Sequence, residues 1–238
     1  MLASSLTLLG LAAAVMANDF PPMSKAKAYR LVVNVTDWYP SKTRDFDPPA
    51  HGLDVGRIQT GEGRFRVVAV APGAGTVFFQ NPHPEFFDSI NAEFWMNTLT
   101  NGGAHVEGLQ LEEKRHPRYS VVMKTGLGDE GQTLKPDGEM VWANPGIGGM
   151  FVEYMVCNTT VGGHYAIDAQ HWTTFNMGYG LDLPSDCLRL KLLPQCETIE
   201  NVVGDGLSDE VAQHFAKAPD VRCYQDVRTI DWTKYRRS

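Results

Sequence analysis

The chain has 238 residues, with 28 acidic against 21 basic side chains and a formal net charge of −7. That balance argues against nucleic acid as the main partner, and no stretch is long and apolar enough to span a membrane. Four cysteines form an even set, and the length suits one large β domain with an extension.

Leu6 to Val15 is a short apolar run, and Val15-Met16-Ala17 follows as a small-residue cleavage site. The run is about ten residues where a membrane span needs roughly twenty. This pattern predicts a secretory signal peptide over residues 1–17, with the mature chain starting at Asn18. An oxidising destination predicts disulfides among Cys157, Cys187, Cys196 and Cys223, with three connectivities possible. The cysteines lack the close spacing of a zinc site, and no metal or other cofactor is expected. The sequons at Asn34 (Asn34-Val35-Thr36) and Asn158 (Asn158-Thr159-Thr160) fit the same compartment.

Lys25 to Thr36 alternates as a half-buried strand, with Tyr29, Leu31, Val33 and Val35 inward. Asn34 then falls on the outer face, where a glycan has room. Asp37 to His51 reads as loop, and its Trp38, Tyr39 and Phe46 form either a ligand platform or a cap on the core. Arg64 to Ala71 and Thr76 to Gln80 read as a hairpin around Pro72-Gly73-Ala74-Gly75. That turn lacks the Lys-Ser/Thr of a phosphate loop. Glu85 to Ile90 is predicted as a turn or short helix, followed by a strand at Glu93 to Leu99. Further strands are expected at Val106 to Glu112, Tyr119 to Lys124, Glu139 to Ala143, Gly149 to Cys157, Tyr165 to Gln170 and Cys187 to Leu193. Gly126 to Gly138 reads as a polar loop. After Cys196, Ser208 is an expected N-cap with Asp209 and Glu210 in the first turn, and Pro219 stops the helix. The fold class is therefore all-β, an antiparallel sandwich or barrel over residues 25–196, with a helical extension over 197–238.

No catalytic signature is present: there is no G-x-S-x-G elbow and no H-E-x-x-H. His164 and His171 flank one strand at a spacing that puts them on opposite faces. Glu153 lies inside an apolar run, so it is either a buried acid of raised pKa or an outward residue paired with a base. Trp38, Tyr39, Trp95 and Trp172 are the candidate ligand-contact aromatics.

Three segments carry a resemblance: Met150 to Cys157 (MFVEYMVC), Gln170 to Trp172, and Pro184 to Leu193. Val70 to Gly75 (VAPGAG) and Phe94 to Thr98 (FWMNT) echo it. Together they resemble a family of small secreted fungal proteins of unknown function. The likeness runs roughly from Lys27 to Gln195, and the segment after Cys196 departs from it. That family has no agreed activity to carry over. The lack of a catalytic motif and the disulfide-stapled β fold suit a secreted, extracellular protein acting by surface recognition, effector-like or cell-surface, toward an unknown protein or glycan partner. Alternatives are a carbohydrate-binding module and a secreted glycoside hydrolase-like enzyme with a carboxylate pair.

Two strands carry the sharpest expectation. If Cys157 sits opposite Cys187 in an antiparallel pair, Met155 faces Arg189 and Glu153 faces Lys191. Val152, Tyr154 and Val156 then share the inner face with Leu188, Leu190 and Leu192, and the disulfide lies off the main core. The second bond is expected between Cys196 and Cys223, tying the extension back.

Overall fold

The computed structural model describes residues 20–36, 46–82, 96–115, 118–129, 131–135, 138–144, 150–172, 183–198 and 208–235. The signal segment and the turn or helix at Glu85 to Ile90 lie outside them. Fourteen strands are described: β1 (Ser24–Ala26), β2 (Ala28–Val35), β3 (Asp54–Gly61), β4 (Arg64–Val70), β5 (Val77–Pro82), β6 (Met96–Asn101), β7 (Val106–Arg115), β8 (Arg118–Thr125), β9 (Gln132–Leu134), β10 (Met140–Asn144), β11 (Met150–Val161), β12 (His164–Trp172), β13 (Cys187–Glu197) and β14 (Val221–Cys223). Among the described residues one α-helix, α1 (Asp209–Lys217), follows the predicted cap: the Ser208 hydroxyl accepts from Val211 N.

All named strands pair antiparallel. The sheet runs β2–β13–β11–β12–β8–β7–β6–β5 and returns to β2, so it closes as a barrel. The hairpin β3–β4 is wedged into this wall and creates two seams. At the first, β4 pairs with β8 at Arg66–Val122 and with β12 at Val68–Ala166, while β12 pairs with β8 at Asp168–Ser120. At the second, β2 leaves β5 after Arg30 and meets β3 at Val32–Asp54.

A strand ladder cannot satisfy the backbone where three strands diverge, so side chains must. Arg66 does this at the first seam. Its guanidinium donates to Val121 O and to Ile167 O (2.7 Å), and it binds the Asp168 carboxylate. Lys114 holds the other Asp168 oxygen at 2.7 Å. Asp54 serves the second seam. It accepts from Gly73 N (2.7 Å) and binds Arg228, whose Nε donates to Gly52 O at 2.8 Å. Gln132 of β9 plays a like role beyond the last β6–β7 rung: its Oε1 accepts from Thr98 N (3.1 Å) and its Nε2 donates to Leu109 O (2.9 Å).

The inner face holds Tyr29, Leu31, Val33 and Val35 of β2 together with Val152, Tyr154, Val156, Leu188, Leu190 and Leu192, as expected. Phe46 is also core, edge-on to Tyr165 with ring centroids 4.9 Å apart. Strand β2 is not half-buried, however. Val32 and Leu193 on its far side are covered by Tyr224 and Val227, with Ile230 and Trp232 packed alongside. The C-terminal segment is thus an outer layer on β2–β13, and β14 also pairs with β1. Helix α1 sets Val211 and Phe215 against Phe79, Leu99 and Val106.

Candidate functional site

The two central strands follow the expected register. Cys157 faces Cys187 and Met155 faces Arg189 in an antiparallel pair. Cys157 is bonded to Cys187, and Cys196 to Cys223. The first bond lies with Met155 and Leu183 in a small cluster apart from the main core. Strand β12 occupies the other edge of β11 and does not separate the pair. One detail is corrected. Glu153 is bound by Arg189 (3.3 Å), the diagonal neighbour, and Lys191 instead reaches Glu139 (3.0 Å). Strand β10 joins the same edge of β11 beyond β13, which brings Glu139 within reach of Lys191. Glu153 is part-exposed and faces a base, so it is no buried acid.

The fully sequestered carboxylates are likewise occupied. Asp54 is bound by Arg228, Asp168 by Arg66 and Lys114, and Glu107 by Arg57. Each of these carboxylates is thus engaged by a cation of the fold. Burial raises Asp129 from its ordinary value, but its carboxylate accepts from Leu111 N within the β7–β8 region and serves the backbone.

Asn34 differs from expectation. It is 6% exposed, opposite Lys191 on β13, and does not stand on an open outer face. Asn158 is exposed. It sits in a bulge, since Cys157 pairs with Ala166 and Thr160 pairs with Tyr165, leaving Asn158 and Thr159 outside the ladder. Asn158 N donates to Asp186 O at 2.8 Å.

Beside this bulge is a groove of about 600 Å³, within the range of small-molecule sites. Its floor is the end of β4 and the turn after it, Ala69 to Pro72, with Leu53 and Tyr165. Asp47 and Pro48 close one side, and Asn158, Thr160, Gly163 and His164 close the other. The β11–β12 connection is the pair Gly162 and Gly163, at φ 58° and 82°. Both central residues of such a two-residue turn need positive φ, which glycine supplies. The side across from it is fixed by the rung Tyr165–Ala69. Among the described residues the ionisable side chains in the lining are Asp47, His164 and Tyr165. Hydrolysis of a glycosidic bond by the usual route needs two facing carboxylates, and the described lining supplies one. It offers apolar contact along the floor and hydrogen bonding along the rim.

Of the candidate aromatics, Trp38, Tyr39 and Trp95 lie outside the described residues. Trp172 ends β12 opposite Phe151, and its side chain is likewise outside them. Apart from Asn158, named above for its sequon, the groove residues escaped sequence reasoning because they converge through the long-range β4–β12 pairing. The two turns, Pro72 to Gly75 and Gly162-Gly163, are the signals that mark its walls.

The chain belongs to the family described as domain of unknown function (DUF7907), which matches residues 26–196. It is 26% identical over 239 residues to the antigenic protein SchS34 of Stachybotrys chartarum, covering 91% of this chain and 94% of that protein. No solved structure matches it significantly. No helix among the described residues is long and apolar enough to cross a membrane, and the two disulfides suit an oxidising compartment.

Proposed function

We propose that this member of the DUF7907 family is a secreted fungal recognition module that binds a protein or glycan partner in the groove beside β4 and β12 and breaks no bond in it. The lining carries the proposal: an apolar floor, a polar rim and, among the described residues, a single carboxylate, Asp47. Such a surface orients a ligand with one C–H face and one hydrogen-bonding edge, as a sugar ring or an extended peptide has. Expected export through segment 1–17 and the disulfide-closed barrel fit an extracellular life. A related protein named for being antigenic supports action through the surface.

Ala71 is exposed on the groove floor, so Ala71→Trp fills the groove without touching the core. The test is a glycan array and an extracellular-protein panel probed with the native protein and this variant. Binding that Ala71→Trp reduces at least tenfold supports the proposal. Binding that is indifferent to the substitution places the contact elsewhere and overturns the assignment of the groove.

A further inference from the structure

We infer that Asn158 carries an N-linked glycan whose first sugars lie in this groove, so that the chain's own glycan is the groove's first ligand. The inference rests on the reading of the groove as a contact site and names its ligand class, an N-acetylglucosamine-based saccharide.

Three observations converge. Asn158 and Thr160, the acceptor and the hydroxyl residue of the sequon, both line the groove. The bulge at Asn158 and Thr159 takes the acceptor out of the β11–β12 ladder and leaves it exposed, as a sequon must be. The other sequon, at Asn34, is buried. The lining beyond Asn158 includes the apolar Leu53, Val70, Ala71 and Pro72 and the polar Asp47 and His164, which matches the C–H face and polar edge of an acetamido sugar.

The attachment balances simply. The donor is an oligosaccharide linked to a lipid pyrophosphate. The sugar C1 forms a bond to Asn158 Nδ2, the bond from C1 to the pyrophosphate oxygen breaks, the amide gives up one proton, and the lipid pyrophosphate leaves. A tether this short then sets the local sugar concentration in the millimolar range. Even a contact with a dissociation constant of about 1 mM is therefore substantially filled. An external partner must displace the glycan, so trimming it opens the site.

The test uses the full chain secreted from a eukaryotic host. Peptide mass mapping reads occupancy at both sequons, and NOEs are sought between the first two sugars and the methyl groups of Val70 and Leu53. Hydrogen exchange over 69–75 and 158–165 is compared before and after enzymatic removal of the glycan from the folded protein. The expected result is carbohydrate at Asn158 and none at Asn34, NOEs to the floor, and exchange at least threefold faster once the glycan is removed. An unoccupied Asn158 overturns the inference, as does an occupied one with neither NOEs nor an exchange difference. N,N′-diacetylchitobiose titrated into the glycan-free protein separates the two levels. If it protects the groove while the tethered glycan does not, only the self-occupancy fails. If neither it nor any array ligand footprints on the groove, the contact-site reading fails as well.

Discussion

Arg66 and Asp168 meet in the interior at the seam where β4, β8 and β12 part. Two further bonds from Arg66 take up Val121 O and Ile167 O, the carbonyls that the split leaves without a ladder partner. The planar guanidinium is the one side chain with enough donors in a fixed fork to serve a carboxylate and two carbonyls together.

Arg66→Met should therefore strand Asp168 with Lys114 alone and orphan both carbonyls. Breaking a buried pair from one side costs about 3–5 kcal/mol. Urea unfolding of the variant should show a loss in that range with an unchanged m-value. A loss below about 1 kcal/mol would mean that the seam is held by something else.

Gln132 gives a second, smaller case. Gln132→Ala leaves Thr98 N unpaired in a buried place and takes from Leu109 O one of its two donors, the other being Asp129 N. An orphaned buried group costs about 1–3 kcal/mol. Thermal unfolding should register that loss, whereas Lys135→Ala, an exposed neighbour, should lie within about 0.5 kcal/mol of wild type.

Glu112 predicts acid sensitivity. Hydrogen bonds from Arg64 and then Lys124 pull its carboxyl down to about 2. A depressed folded value means that the unfolded chain binds the proton more tightly. The stabilisation is present above about 4.5 and is lost as pH falls toward about 2. Glu112→Gln should flatten the stability–pH curve in that window and leave the curve's shape near neutrality unchanged. Because the site is part-exposed, the effect should also shrink in high salt. An identical acid limb in the variant would show that other carboxylates set it.

The Cys196–Cys223 bond joins β13 to β14, and β14 holds β1. Replacing both cysteines by serine should cost roughly 2–4 kcal/mol. Limited proteolysis should then release the segment after Glu197 before the barrel is cut. Cleavage within the barrel first would show that the outer layer is held by packing alone.

Much of the barrel was legible because the inward faces of its strands keep an apolar alternation, as in β4, β8, β11 and β13, and the Cys157–Cys187 register followed from the same parity. Strand β3 did not declare itself: Gly56 and Gly61 interrupt its pattern. Gly56 is there because a Cβ would sit 2.7 Å from Val70 Cγ1. Strand β9 hid in a polar loop, since Gln132 is buried for its amide and not for any apolar surface. Asn34 was misplaced because the alternation of β2 reads as one wet face, whereas Asn34 is buried and Val32 on the same face lies under Tyr224 and Val227 from far along the chain. Arg66, Asp168 and Asp54 were invisible for a related reason. A charge inside an alternating strand reads as solvent-facing until the strands that share its seam are known. The groove, built from two turns and one long-range rung, had no local signature beyond its glycines.

The central claim is that the groove holds its ligand by contact and leaves it unchanged. The most direct measurement takes a ligand bound in the array, incubates it with the native protein at tenfold molar excess of ligand, and quantifies it by mass spectrometry. Hydrogen exchange over residues 69–75 and 158–165 is followed in the same sample. The account predicts slowed exchange in both segments, abolished by Ala71→Trp, with the ligand recovered intact after prolonged incubation. Accumulation of a cleaved or modified ligand beyond one equivalent per protein, suppressed by the same substitution, would contradict it.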